Sequence, residues 1–166
     1  EAAPPKAGFW RRRVRDPLVG LLTQGATPDG LARTLAWSAV CSLFPFLGFT
    51  AVLNLAVGQV LKLNHAVMQT CNQLLGPLHL IMILAYVRLG ERLWGASGDD
   101  RFTVAGMMEA FTDLGIGEFL EKFGWAGLHA LTAWALTAPL LGWGVWLIAR
   151  PALHRLARLK TGEPAI

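Results

Sequence analysis

Charge is what this chain is short of. Only 16% of its 166 residues are Asp, Glu, Lys or Arg, against about 25% in an ordinary soluble domain. The shortage is concentrated: no charged residue occurs from Thr34 to Leu61, from Leu63 to Val87, or from Phe123 to Ala149. Each run exceeds the about 20 apolar residues that a membrane-crossing helix needs. A single domain of this size has no means of burying three of them. Cysteine is nearly absent too. Cys41 and Cys71 both lie inside apolar runs, without a partner at metal-ligand spacing, and read as small buried thiols. No nucleophile elbow, phosphate loop, zincin pattern or pair of catalytic carboxylates is present. No metal, no cofactor and no catalytic role is therefore expected, and a lipid-acting membrane enzyme would lack the constellation it needs. A formal net charge of +4 is low for a nucleic-acid binder, and the cations sit beside apolar runs as membrane flanks do. The start, Glu1 to Pro5, is polar and proline-rich with no apolar core behind a basic segment, so insertion is expected to be directed by the spans themselves.

What is present divides into five segments. Residues 1–26 form a cytoplasmic basic tail and an interfacial helix, in which Arg11, Arg12, Arg13 and Arg15 stand beside Phe9 and Trp10 and suit an anionic leaflet. Residues 27–95 form a membrane domain. Thr27 can cap its first helix, with Pro28 and Asp29 placed to favour the helix start. The first apolar run is interrupted by Phe44-Pro45-Phe46-Leu47-Gly48, where proline removes a backbone donor and glycine permits a turn. That pattern predicts either a kinked span or two half-helices meeting in a re-entrant hairpin. Lys62 ends the run and Asn64 can cap the next helix, whose centre holds a second interruption, Asn72-Gln73-Leu74-Leu75-Gly76-Pro77. Residues 96–123 are a loop and an amphipathic surface helix over 102–123, too polar to span. Residues 124–149 are the plainest span, and 150–166 a basic cytoplasmic tail. The fold class is all-α: a polytopic helical membrane protein with broken or re-entrant helices, one surface amphipathic helix and a long C-terminal span.

Charge sets the expected orientation. Six Lys and Arg lie in residues 1–33 and four in 150–166, whereas 88–122 carries four against seven acidic residues. Positive-inside bias puts both termini in the cytoplasm and 88–122 outside. Three crossings would separate the termini, so one run must turn back. The first run, flanked by Arg33 and Lys62, is the expected hairpin.

The stretch 28–95 resembles the bacterial domain-of-unknown-function 2062 family. The resemblance is carried by Pro28, the Phe44-Pro45-Phe46-Leu47-Gly48 turn, the Lys62-Leu63-Asn64 step, the Asn72 to Pro77 interruption and the Arg88-Leu89-Gly90-Glu91 ending. Gly76 stands where the family has asparagine before the second proline. The resemblance implies a bacterial inner-membrane protein and brings no reaction with it.

Two interruptions in succession are the feature most suggestive of function. Broken helices in transporters present half-helix ends and unwound carbonyls to a solute near the bilayer midplane. The corresponding residues here are Pro45, Gly48, Asn64, Asn72, Gln73, Pro77 and His79. Arg11, Arg12, Arg13, Arg88 and Arg92 are candidates for lipid headgroups, with Arg88 also spaced to pair with Glu91. His79 and His129 lie in separate runs and read as structural histidines. Gly142 and Gly144 give the last span a small side for close helix packing, on a homo-oligomer or another membrane subunit. The first functional expectation is transport or lipid handling through a polar site at the two interruptions. The alternative is a non-catalytic scaffolding subunit of a larger membrane complex. Membrane lipids are partners in either case, and nucleic acid in neither.

Overall fold

A computed structural model describes residues 26–95, 106, 109 and 112–161. The described chain is helical: α1 (Pro28–Ser42), α2 (Thr50–Val60), α3 (His65–Trp94) and α4 (Ile116–Thr161). The interfacial segment expected at the N-terminus, with Arg11, Arg12 and Arg13, lies outside these residues.

Local chemistry places the ends of α1. Thr27 is the N-cap, its hydroxyl accepting from Gly30 N at 3.1 Å, with Pro28 at the first helical position. After Ser42 the chain turns through residues 43–49, where Pro45 is buried and Gly48 takes φ +82°, a conformation open to glycine at little cost. α2 then runs back beside α1: Asn54 reaches Ser42 and Ser38, and Asn64 N lies 3.5 Å from Thr34 Oγ1. The first apolar run is thus a helical hairpin, two helices joined by the turn at Pro45 to Gly48.

The step into α3 is tight. Lys62 N bonds Gln59 O at 3.4 Å and Leu63 N bonds Gly58 O at 2.8 Å, the paired closing bonds of a helix C-terminus with a left-handed residue at its end. That residue is Lys62, at φ 52°, where a side chain costs about 1–2 kcal/mol. Glycine also loses more entropy on folding, so Lys62→Gly is expected to stabilise by a net of about 0.5 kcal/mol. The check is a rise in the detergent unfolding midpoint; a fall would mean that the lysine side chain supports the turn. Asn64 caps α3, accepting from Val67 N at 3.1 Å.

α3 corrects the expectation of a second break. It is one continuous helix of 30 residues with Pro77 inside it. The proline removes one backbone bond and crowds the carbonyl four residues back. It lies on an exposed face, and membrane-type helices absorb such a site by local adjustment without unwinding. Gly95, at φ 66°, closes the helix.

α4 corrects three boundaries. Residues 106, 109, 112 and 113 are helical, but the chain leaves the helix at Leu114–Gly115. From Ile116 a single 46-residue helix runs to Thr161, with Pro139 and Pro151 inside it. The end of the expected surface helix, the span and the first part of the tail are therefore one element. Lys122 and Arg150 mark changes of charge, and a change of charge does not end a helix.

α1 runs parallel to α3 and antiparallel to α4. Leu31, Ala32, Val67 and Leu153 form one core; Leu43, Tyr86, Val87, Ala130 and Ala133 form the other. The hairpin covers only part of the α3–α4 pair. Its tip meets α3 at His79, midway between His65 and Trp94, and α1 at 15 residues is about 22 Å long. α3 and the Gly124–Arg158 part of α4 are both long and apolar enough to cross a membrane.

Candidate polar site

Where α1, α2 and α3 meet, the packing is polar. α1 contributes Ser38 and Ser42, α2 Asn54 and α3 Asn72, at positions that face one another across the hairpin. Asn54 is fully buried, and its Nδ2 lies 2.9 Å from Thr50 O, 3.2 Å from Ser42 Oγ and 3.5 Å from Asn72 Oδ1. Two amide protons serve these three acceptors. The Ser38 hydroxyl has one proton and two acceptors, Met68 O at 3.0 Å and Asn54 Oδ1 at 3.3 Å. Burying an amide or hydroxyl unpartnered costs about 1–3 kcal/mol; here each group finds its partners inside the protein.

The hairpin tip is closed in the same way. Val40 O, in the last turn of α1, accepts from Trp134 Nε1 of α4 at 3.1 Å. Phe44 O bonds His79 Nε2 of α3 at 2.7 Å. A carbonyl left open in the last turn of α1 and one in the turn that follows are thus taken up by side chains from two other helices. Phe44 also stands edge-on to Trp134, centroids 4.9 Å apart, an arrangement favoured by aromatic quadrupoles.

The residues singled out in sequence are distributed unevenly about this centre. Asn72 and His79 reach it, the first by touching Asn54 and the second by holding the tip. Pro45 and Gly48 shape the turn. Asn64 is two turns away as the cap of α3. Gln73 and Pro77 are exposed, on the outer side of α3. Arg88 forms the expected pair with Glu91 at 3.3 Å, and Arg92 is exposed in the last turn of α3. His129 is far from His79: its backbone lies against Gly90 and its ring against Trp94 and Trp125. Among the described residues, no three His, Cys, Asp or Glu side chains gather as a metal site would require.

The two glycines of the last span part company. A Cβ on Gly142 would stand 3.2 Å from Val40 Cγ2, whereas one on Gly144 would meet nothing within 4 Å. Gly142→Leu is expected to push α1 off α4 and lower the unfolding midpoint, an overpacking cost of about 1–3 kcal/mol. Gly144→Leu should leave the midpoint of the isolated chain unchanged. Equal midpoints for the two variants would contradict this packing.

Ser38, Ser42 and Asn54 carry the centre and were not singled out in sequence. Their signal is spacing: Thr34, Ser38 and Ser42 recur every four residues, as do Thr50, Asn54 and Gly58. Such repeats put small or polar groups on one helix face inside an otherwise apolar run.

The site and fold together define, among the described residues, an all-helical protein: a polar-cored helical hairpin seated on two helices long and apolar enough to cross a membrane. The chain belongs to the family described as uncharacterized protein conserved in bacteria (DUF2062), whose model matches residues 11–161. The match is wider than the 28–95 stretch that carries the sequence motifs, so α4 is part of the family's unit. No curated protein and no solved structure matches the chain.

Proposed function

We propose that this is a bacterial inner-membrane protein in which α3 and α4 cross the bilayer and the α1–α2 hairpin enters and leaves on the cytoplasmic side, and that it serves as a non-catalytic scaffold. The membrane placement is supported by the distribution of surface. Val52, Leu55, Val60, Ile81, Leu136, Leu140 and Ile148 are all more than half exposed while Ser38, Ser42 and Asn54 are inside. In water such an outer surface would be a large apolar patch; against lipid it is the stable arrangement. Helix α1, at about 22 Å, is shorter than the about 30 Å hydrocarbon core, which suits a hairpin that turns back. Its N-terminal end, at Asp29, lies beside Arg150 and His154 of α4, the basic side expected in the cytoplasm.

The observation that carries the scaffold reading is the closed hydrogen bonding of the centre. A transport site needs polar groups free to exchange their partners for a solute, and here Asn54, Ser38, Phe44 O and Val40 O are occupied by the protein itself. What favours transport is narrower: Asn72, half-buried, lies beside the exposed Gln73 and could lead outward. Mild-detergent purification of the native protein, with mass spectrometry of all that accompanies it, separates the two. Protein subunits at fixed stoichiometry, lost in Gly144→Leu, support the scaffold. A lone chain whose solute uptake disappears in Asn72→Leu/Gln73→Leu would replace the scaffold with a transporter.

A further inference from the structure

At the basic end, two helices bring complementary stripes together. On α1, Asp29, Arg33 and Trp37 recur every four residues and are exposed. On α4, Trp146, Arg150 and His154 recur every four residues in the opposite direction, Arg150 exposed and the other two half-buried. The register is given by contacts on either side of Arg33. Asp29 Oδ1 lies 2.7 Å from Arg150 Nε and 3.3 Å from His154 Nε2, and Val40 packs on Gly142. Arg33, one turn from Asp29 toward Val40, therefore stands level with the Trp146–Arg150 turn of α4.

Among the described residues the charges there do not balance. Arg150 uses its Nε on Asp29 and stacks over the Trp146 ring at 5.0 Å to the centroid. Its two terminal nitrogens bond no described residue. Arg33 forms no ion pair with any described residue. The Arg150 hydrogen bond, then that of His154, holds the Asp29 carboxyl below its ordinary range, so this carboxylate stays ionised at neutral pH and orients Arg150. One anion thus serves two guanidiniums. Trp37 and Trp146 lie one turn further toward the apolar part of the molecule, and indoles suit a membrane interface.

We propose that this junction binds the phosphodiester of an anionic glycerophospholipid such as phosphatidylglycerol, with Arg33 and the terminal nitrogens of Arg150 on the phosphate oxygens and Trp37 and Trp146 flanking the upper acyl chain. A guanidinium fork matches two phosphate oxygens, and the bound charge supplies an anion beyond the one carboxylate that the described residues place there. The site rests on the membrane reading above, because it needs the tryptophans beneath the arginines to face lipid.

The test uses the full chain in a neutral detergent, titrated separately with phosphatidylglycerol, phosphatidylcholine and inorganic phosphate. Binding is read as the shift in unfolding midpoint, since a ligand of the folded state raises it in proportion to its occupancy. Phosphatidylglycerol should raise the midpoint, with phosphatidylcholine at least about tenfold weaker and inorganic phosphate weaker still, because neither offers both charge and chain. Arg33→Gln and Arg150→Gln should each weaken phosphatidylglycerol by about tenfold or more. Arg33→Lys should restore part of the loss. Arg33 holds no partner among the described residues, so Arg33→Gln should melt like the parent without lipid. Equal binding of phosphatidylcholine or of inorganic phosphate overturns the proposal, as does unaltered phosphatidylglycerol binding in Arg33→Gln. Failure of the membrane reading shows separately, as a chain that stays folded and monodisperse with no detergent at all.

Discussion

Gly90→Leu is expected to part α3 from α4, and even Gly90→Ala should cost about 1–3 kcal/mol. The helices cross so closely at this point that any Cβ on residue 90 would overlap the carbonyl carbon and oxygen of His129. Those are backbone atoms inside a long helix and have no rotamer to move to. Close approach over a glycine is how membrane helices gain van der Waals contact without a hydrophobic drive. Gly76, four turns back on the same helix, is the control. Nothing lies within 4 Å of a Cβ there, and alanine is the better helix former by about 1 kcal/mol, so Gly76→Ala should be neutral or stabilising. The unfolding midpoint in detergent, with the yield of folded protein, reads both. Gly90→Ala melting at or above the parent would show that the crossing is looser than described.

The second large effect is expected at Asn54. Asn54→Leu leaves the Ser42 hydroxyl and the Asn72 carbonyl oxygen without their shared donor, at a cost of about 1–3 kcal/mol. Ser38 keeps Met68 O and is spared. Asn72→Leu should cost less, because Asn72 is half-buried and meets Asn54 only at 3.5 Å. The double variant should cost less than the two singles together, since the second change removes the group that the first leaves stranded. A double-mutant cycle measures that coupling. Additive costs would mean that the two amides do not share a network.

How much of this could be read beforehand depends on the kind of signal. The caps at Thr27 and Asn64, the turn at Pro45 to Gly48 and the Arg88–Glu91 pair are local, set by residues within one turn of each other, and all are found in the structure. The division of the first apolar run into two helices is legible as one of two alternatives. Pro77 misled because proline alone does not say whether a helix has neighbours and length enough to continue. The boundaries of α4 misled because they were drawn where charge changes. Asn54 was passed over because a single amide in a run such as Ala51-Val52-Leu53-Asn54-Leu55 resembles an isolated polar interruption. Its meaning comes from Ser38 and Ser42, twelve to sixteen residues away, and from Asn72 on another helix. Likewise Trp134 serves Val40 O across 94 residues, a pairing that no local pattern encodes.

The hairpin that turns back within the bilayer is the central claim, and sided labelling tests it most directly. Cys41 and Cys71 are replaced by alanine, and single cysteines are placed at Lys62, Arg155 and Glu109, all exposed. Each is then probed with a membrane-impermeant thiol reagent in intact cells and in inside-out vesicles. Lys62→Cys and Arg155→Cys should label only from the cytoplasmic side, and Glu109→Cys only from the other. Lys62→Cys labelling from the outer face, together with Glu109→Cys, would show that the first apolar run crosses the membrane and would contradict the hairpin.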